Sequence, residues 1–169
     1  MPNTWTLPEA DEPAVRRLAQ LVALKIRAGD TLALHGDLGA GKTTFARALI
    51  RAMLGDDEAE VPSPTFALVQ TYETPRLRLA HIDLYRLSDE NEALELGIAD
   101  LAENGAVLIE WPERAPSLLG GDRLDITLTE SGGGDLRDVA VEARGTWEAR
   151  LARLRDISEF LSAHGVPET

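Results

Sequence analysis

Gly36-Asp37-Leu38-Gly39-Ala40-Gly41-Lys42-Thr43 is a glycine-spaced turn ending in a lysine and a hydroxyl residue, and its flanks decide how it is read. Before it, Thr31 to His35 reads as a short strand. After it, Lys42 to Leu54 carries Phe45, Ala48, Leu49 and Ala52 on one helical face and stops at Gly55. Strand, turn and helix in that order make the P-loop arrangement. The glycines let successive backbone N–H groups converge on a phosphate, and the helix N-terminus adds a favourable dipole. Lys42 brings positive charge, and the Thr43 hydroxyl suits Mg2+. A glycine-rich turn that matches by chance is the competing reading, and the flanking elements weigh against it.

Upstream, Val15, Leu18, Ala19, Val22 and Ile26 fall at helical spacing from Glu12 onward, with Pro13 in the first turn and an end expected near Ala28-Gly29-Asp30. Downstream, Val61-Pro-Ser-Pro-Thr65 is too proline-rich for a helix. Phe66 to Tyr72 and Leu77 to Asp83 then read as a hairpin. Asp89 with Glu92 resembles a capping box for a short helix ending at Gly97. Ala106 to Ile109 is a buried-strand candidate leading into Glu110 and Trp111. Arg123 to Thr129 and Leu136 to Ala143 alternate across Ser131-Gly-Gly-Gly-Asp135 as a second hairpin. A final amphipathic helix, about residues 146–163, places Trp147, Leu151, Leu154 and Ile157 on one side.

The 169 residues suit one domain. Acidic residues outnumber basic ones 29 to 17, and the net charge of −12 disfavours autonomous binding to a phosphate backbone. With no cysteine, disulfides, thiolate nucleophiles and Cys-ligated zinc are excluded, and three scattered histidines argue against a His-rich metal site. The N-terminus has neither a basic n-region nor an apolar h-region, so a soluble, cytoplasmic protein without membrane contact is expected. Only Lys25 and Lys42 are lysines, which makes the position of Lys42 informative.

Hydrolysis on a P-loop also needs a carboxylate near the metal and a group that prepares water. Asp83 and Glu110 each end a strand-like run, and each alone could equally be a solvated strand-end acid. Thr65, in a loop stiffened by Pro62 and Pro64, is either a switch-like residue sensing a γ-phosphate or an ordinary turn residue. Trp111 offers a flat face to a base or partner, or simply packs at a strand end. In His81-Ile-Asp-Leu-Tyr-Arg86, alternation puts His81, Asp83 and Tyr85 on one face. Arg86 and Arg114 are either charge stabilisers or surface ion-pair residues. No Asn-Lys-x-Asp or Thr-Lys-x-Asp segment is present to read guanine, which favours adenine.

Together, Gly-Asp-Leu-Gly-Ala-Gly-Lys-Thr-Thr-Phe at 36–45, Ser-Pro-Thr-Phe at 63–66, His-Ile-Asp-Leu-Tyr-Arg-Leu at 81–87 and Ile-Glu-Trp at 109–111 resemble the bacterial TsaE family. The resemblance implies an α/β, P-loop NTPase-like single domain over residues 1–169, its mixed parallel and antiparallel sheet flanked by helices. It implies an ATPase needed for threonylcarbamoyladenosine, the modified nucleoside beside the anticodon of tRNAs reading codons that begin with A. In that family the ATPase joins TsaB and TsaD proteins, of which TsaD performs the transfer, so tRNA would be engaged indirectly through the complex.

Carried over by position, the implied ATP site comprises Asp37, Leu38, Gly39, Ala40, Gly41, Lys42, Thr43 and Thr44, with Trp111 in nucleotide or partner contact. Thr43, Glu110 and Asp83 would serve Mg2+, with Asp83 the Walker B-like acid. The implied catalytic set is Lys42, Asp83, Glu110 and Thr65. Segment 6–10 and the turn near Gly133 correspond to parts that close over the nucleotide in the family. The rival readings are a small-molecule kinase and a nucleotide-controlled binding module in which hydrolysis is incidental.

Overall fold

The computed structural model describes residues 3–65 and 68–165. Phe66, which opens the expected strand and closes the Ser-Pro-Thr-Phe motif, lies outside the described residues. Seven strands and five α-helices follow in chain order: β1 (Thr4–Ala10), α1 (Glu12–Ala23), β2 (Thr31–His35), α2 (Lys42–Leu54), β3 (Val69–Glu73), β4 (Arg78–Asp83), α3 (Glu90–Glu95), α4 (Ile98–Glu103), β5 (Ala106–Glu110), β6 (Arg123–Ser131), β7 (Leu136–Arg144) and α5 (Trp147–His164). They form one sheet in the order β1-β7-β6-β2-β5-β4-β3. The inner strands β6, β2, β5 and β4 run parallel, β7 is antiparallel to both β6 and the edge strand β1, and at the other edge β3 is antiparallel to β4.

That topology follows from composition. β2 and β5 are buried along nearly their whole length and read as unbroken apolar runs, as central parallel strands do. β6 and β7 alternate because one side of the hairpin stays open to solvent. Leu32, Leu34, Leu79, Leu108, Leu124 and Ile126 pack with α1, α2 and α5 on one face of the sheet. Ala80, Ile82, Val107 and Ile109 pack with Ala93 of α3 and Ile98 of α4 on the other. Because side chains alternate, His81, Asp83 and Glu110 share the face of Leu79 and Leu108, toward α2.

Several boundaries differ from the sequence reading. α1 ends at Ala23 rather than near Ala28. The N–H groups of Leu24 and Lys25 turn back to Leu21 and Val22 at 3.1 and 3.0 Å, and Arg76 of the β3–β4 turn caps the carbonyls of Ala23 and Leu24. Ile26 is buried all the same. α3 stops at Glu95 with Asp89 as its N-cap, and Gly97, at φ 68°, starts α4, which the sequence reading did not expect. The buried stripe of α2 is Phe45, Ala46, Leu49, Ile50 and Met53, with Ala48 and Ala52 at its margin. β1, also unexpected, pairs antiparallel with β7 and is bulged between Leu7 and Ala10.

α5 is fixed by a buried ion pair. Arg150 Nη1 and Nη2 donate to Asp30 Oδ2 and Oδ1 at 2.6 and 2.8 Å, and further bonds run to Lys25 O at 2.7 Å and Thr146 Oγ1 at 2.8 Å. The Arg27 N–H also donates to Asp30, at 2.7 Å, and the guanidinium lies 4.0 Å from the Trp147 ring centroid. Removing one partner strands the other charge in the core, so Asp30→Ala is expected to lose about 3–5 kcal/mol of stability. Urea unfolding checks this, and a loss below about 1 kcal/mol would contradict it.

Candidate functional site: a phosphate cradle facing two strand-end carboxylates

The turn between β2 and α2 has the backbone a phosphate requires. Gly36 lies against Leu128, where an added Cβ would stand 2.6 Å from the carbonyl oxygen. Gly41 caps α2 at φ 104°, a conformation that disfavours other residues, and no side chain bonds to the free N–H groups of the first turn. Those donors and the helix dipole therefore remain available to an anion.

Lys42 is folded back. Its ammonium group donates to the carbonyls of Gly36 and, at 3.0 Å, Asp37. It also sits 3.9 Å from the centroid of the Trp111 ring. Trp111 in turn packs on Tyr85 at 4.9 Å, and the Arg114 guanidinium lies 6.0 Å from the Tyr85 ring. Burial lowers the Lys42 pKa, against the pull of Glu110, Glu113, Asp83 and Asp37.

Parallel pairing sets Asp83 of β4 beside Glu110 of β5, at the carboxyl ends of the neighbour of the P-loop strand and of the strand next beyond it. Both are buried, as is Lys42. Thr43 Oγ1 donates to Glu110 Oε1 at 2.9 Å, and Glu110 Oε2 lies 2.6 Å from His81 Nε2. Asp83 Oδ1 accepts the Tyr85 N–H at 2.9 Å. Burial pushes the Asp83 carboxyl above its ordinary value and Glu110 adds to this, against the lowering by the Tyr85 N–H bond. Two buried acids side by side near a threonine hydroxyl make an all-oxygen, anionic donor set. This fits Mg2+, which takes one or two carboxylates and completes its shell with phosphate and water. Among the described residues no group of three or more His, Cys, Asp or Glu side chains forms a self-sufficient metal cage.

A cavity of about 380 Å³ gathers most of the expected site. Leu38, Gly39, Gly41, Lys42, Thr43, Thr44, Thr65, Asp83, Glu110 and Trp111 line it, together with Ser63, Tyr85 and Arg137. Thr65 reaches it from the proline-stiffened loop, its hydroxyl 2.8 Å from that of Ser63. Tyr85 joins its predicted partners from the turn after β4 rather than from the strand itself. Asp37 and Ala40 do not line this cavity. Asp37 contributes its carbonyl to Lys42, and Ala40 is buried with its carbonyl turned to Arg137. Arg86 and Arg114 also stand outside the lining.

Arg137 escaped the sequence reading. From the start of β7 it donates through Nε to Ala40 O at 2.7 Å, through Nη2 to Gly39 O at 3.2 Å and through Nη1 to Gly134 O at 2.6 Å. It thus clamps the P-loop to the glycine turn at 132–134. A second cavity of about 250 Å³ shares Gly41, Thr44 and Arg137 with the first and adds Ala10, Glu12, Val15, Ala40, Leu128, Gly134 and Asp135. It joins the end of β1 and the glycine turn to the rim of the cradle.

A strand-end acid pair beside a P-loop occurs in many proteins, and kinship tells them apart. A family model described as threonylcarbamoyl adenosine biosynthesis protein TsaE matches residues 9–138. The chain belongs to the TsaE family. Relatives named tRNA threonylcarbamoyladenosine biosynthesis protein TsaE include one from Bacillus subtilis, 36% identical over 161 residues, covering 95% of this chain and 94% of that one. Another, from Rickettsia felis, is 39% identical over 118 residues, covering 70% of this chain and 68% of the relative.

The crystal structure of Bacillus subtilis YdiB superposes with a TM-score of 0.70 at 29% identity, covering 96% of this chain and 95% of that one. The P-loop α/β architecture expected for a TsaE protein is therefore the one observed. The TsaE match takes in the cradle, Thr65, both acids and Arg137, and leaves α5 beyond its end. Among the described residues no helix is long and apolar enough to cross a membrane.

Proposed function

We propose that this TsaE-family chain is a Mg2+-dependent ATPase supporting threonylcarbamoyl transfer to the adenosine beside the anticodon of tRNAs reading codons that begin with A. It acts in the cytoplasm with TsaB and TsaD proteins, TsaD performing the transfer. The observation that carries this reading is the meeting, in one cavity, of an uncapped P-loop helix, Lys42, Thr43 and the paired acids Asp83 and Glu110. The backbone N–H groups of the P-loop bind the phosphates, and Lys42 leaves the Gly36 and Asp37 carbonyls to neutralise them. Thr43 and Glu110 hold the cation, which when bound offsets charge on the phosphates. Asp83, with its raised affinity for protons, orients the attacking water. Thr65 stands where the terminal phosphate is sensed. The second cavity takes the nucleoside end, and the absence of a guanine-reading segment favours adenine. At −12 the chain has no excess cation for tRNA, so the complex supplies that contact.

This reading is tested by reconstitution. With TsaB and TsaD proteins, tRNA and the threonylcarbamoyl donor, sustained modification requires both this chain and ATP; modification that proceeds equally well without it would sink the proposal. A phosphorylated metabolite as the product of ATP consumption would favour the kinase instead.

A spectroscopic prediction follows from the folded-back lysine. When ATP draws Lys42 away from the indole, a cation–π contact of about 0.5–2 kcal/mol is exchanged for phosphate contacts. Tryptophan emission is then expected to change on titration with ATP, and Trp111→Phe is expected to abolish the change. An unaltered change in that variant would place its source at Trp5 or Trp147.

A further inference from the structure

His81 is wholly buried in β4, two residues before Asp83 on the same face. Among the described residues its ring makes one polar contact, Nε2 to Glu110 Oε2 at 2.6 Å, and Nδ1 has no partner. A carboxylate only accepts, so the proton in that contact belongs to Nε2. Nε2 is therefore the atom that holds the carboxylate.

Glu110 is consequently held at both oxygens, Oε2 by His81 and Oε1 by Thr43. A glutamate has three rotatable side-chain bonds, and these two anchors leave it one orientation in which Oε1 faces the threonine hydroxyl. Histidine and carboxylate exchange their usual places here: where a metal-bound imidazole is commonly steadied by an acid, the acid is steadied by an imidazole that does not itself line the cavity.

We propose that His81 is a positioning residue, whose Nε2–H holds Glu110 so that Oε1 and Thr43 meet Mg2+ as a ready-made pair. This rests on the assignment of Glu110 and Thr43 to the cation made above.

The test compares wild type, His81→Leu, which removes the donor, and His81→Gln, whose amide can supply a donor where Nε2 stood. Affinity for a non-hydrolysable ATP analogue is measured by calorimetry in Mg2+ and again in EDTA. All three proteins are expected to bind alike in EDTA. The gain in affinity on adding Mg2+ is expected to fall about tenfold or more in His81→Leu and to return for the most part in His81→Gln. Nitrogen NMR of the metal-free wild type gives a readout independent of folding in the variants, and a proton on Nε2 is expected.

An equal Mg2+ gain in wild type and His81→Leu would overturn the inference and leave the ATPase reading standing. A ring protonated at Nδ1 alone would overturn it too. Wild type that gains nothing from Mg2+ would overturn the cation assignment and the inference together.

Discussion

Lys42→Ala is expected to weaken ATP binding by about a hundredfold or more. Lys42 opens α2 and is buried, and its ammonium group now satisfies the Gly36 and Asp37 carbonyls while resting on Trp111. Bound phosphate offers the same group charge-assisted bonds in a site that excludes much of the water. Such bonds contribute about 1.5–3 kcal/mol each, and about 1.4 kcal/mol corresponds to a factor of ten. Two of them account for the predicted loss. The truncation also leaves Asp83 and Glu110 adjacent without the cation that offsets them, so anions are repelled as well as less attracted. Calorimetric titration with ATP measures the effect, and urea unfolding of the variant establishes that the fold survives. Affinity within about threefold of wild type would contradict the placement of the phosphates.

Glu110→Gln separates chemistry from binding. The amide is nearly isosteric with the carboxylate, and its oxygen still accepts from Thr43. Its NH2 group stands where Oε2 met His81 Nε2. The P-loop donors are untouched, so ATP affinity in the absence of metal is expected to stay within a few-fold. Hydrolysis is expected to fall about a hundredfold or more, the scale of losing a group that works in the proton-transfer step or holds its metal. Single-turnover assays with saturating Mg2+ and ATP read this directly. Undiminished hydrolysis would remove Glu110 from the chemistry. Undiminished tRNA modification over many turnovers, with hydrolysis lost, would instead make the chain a nucleotide-controlled binding module.

Where local chemistry decides structure, the sequence was legible. The turn at 36–43 is flanked by elements that begin and end at the residues expected, Thr31 to His35 and Lys42 to Leu54, because each boundary is drawn by a glycine or a change of period. Asp83 and Glu110 stand out in the sequence because a charged residue ending a buried apolar run has few structural reasons to be there. Their adjacency was not legible, since it depends on β4 and β5 being neighbours in register.

The failures share that origin. α1 stops early because Arg76, some fifty positions along the chain, caps it. β1 exists because β7 offers an edge to pair with. Arg137 belongs to no motif, and only the folding of β7 across the P-loop makes it part of the cradle. Asp37 and Ala40 sit inside the P-loop spacing, and only the fold shows that they give their carbonyls to Lys42 and Arg137 without lining the main cavity themselves.

On the proposed function, this cradle hydrolyses ATP under the control of partner proteins. The most direct measurement is steady-state ATP hydrolysis by the purified chain with Mg2+, alone and with TsaB and TsaD proteins of the same organism, alongside Lys42→Ala. The account predicts slow hydrolysis alone, stimulation by the partners, and loss of both in the variant. Absence of stimulation, with partners shown competent in a separate modification assay, would contradict it.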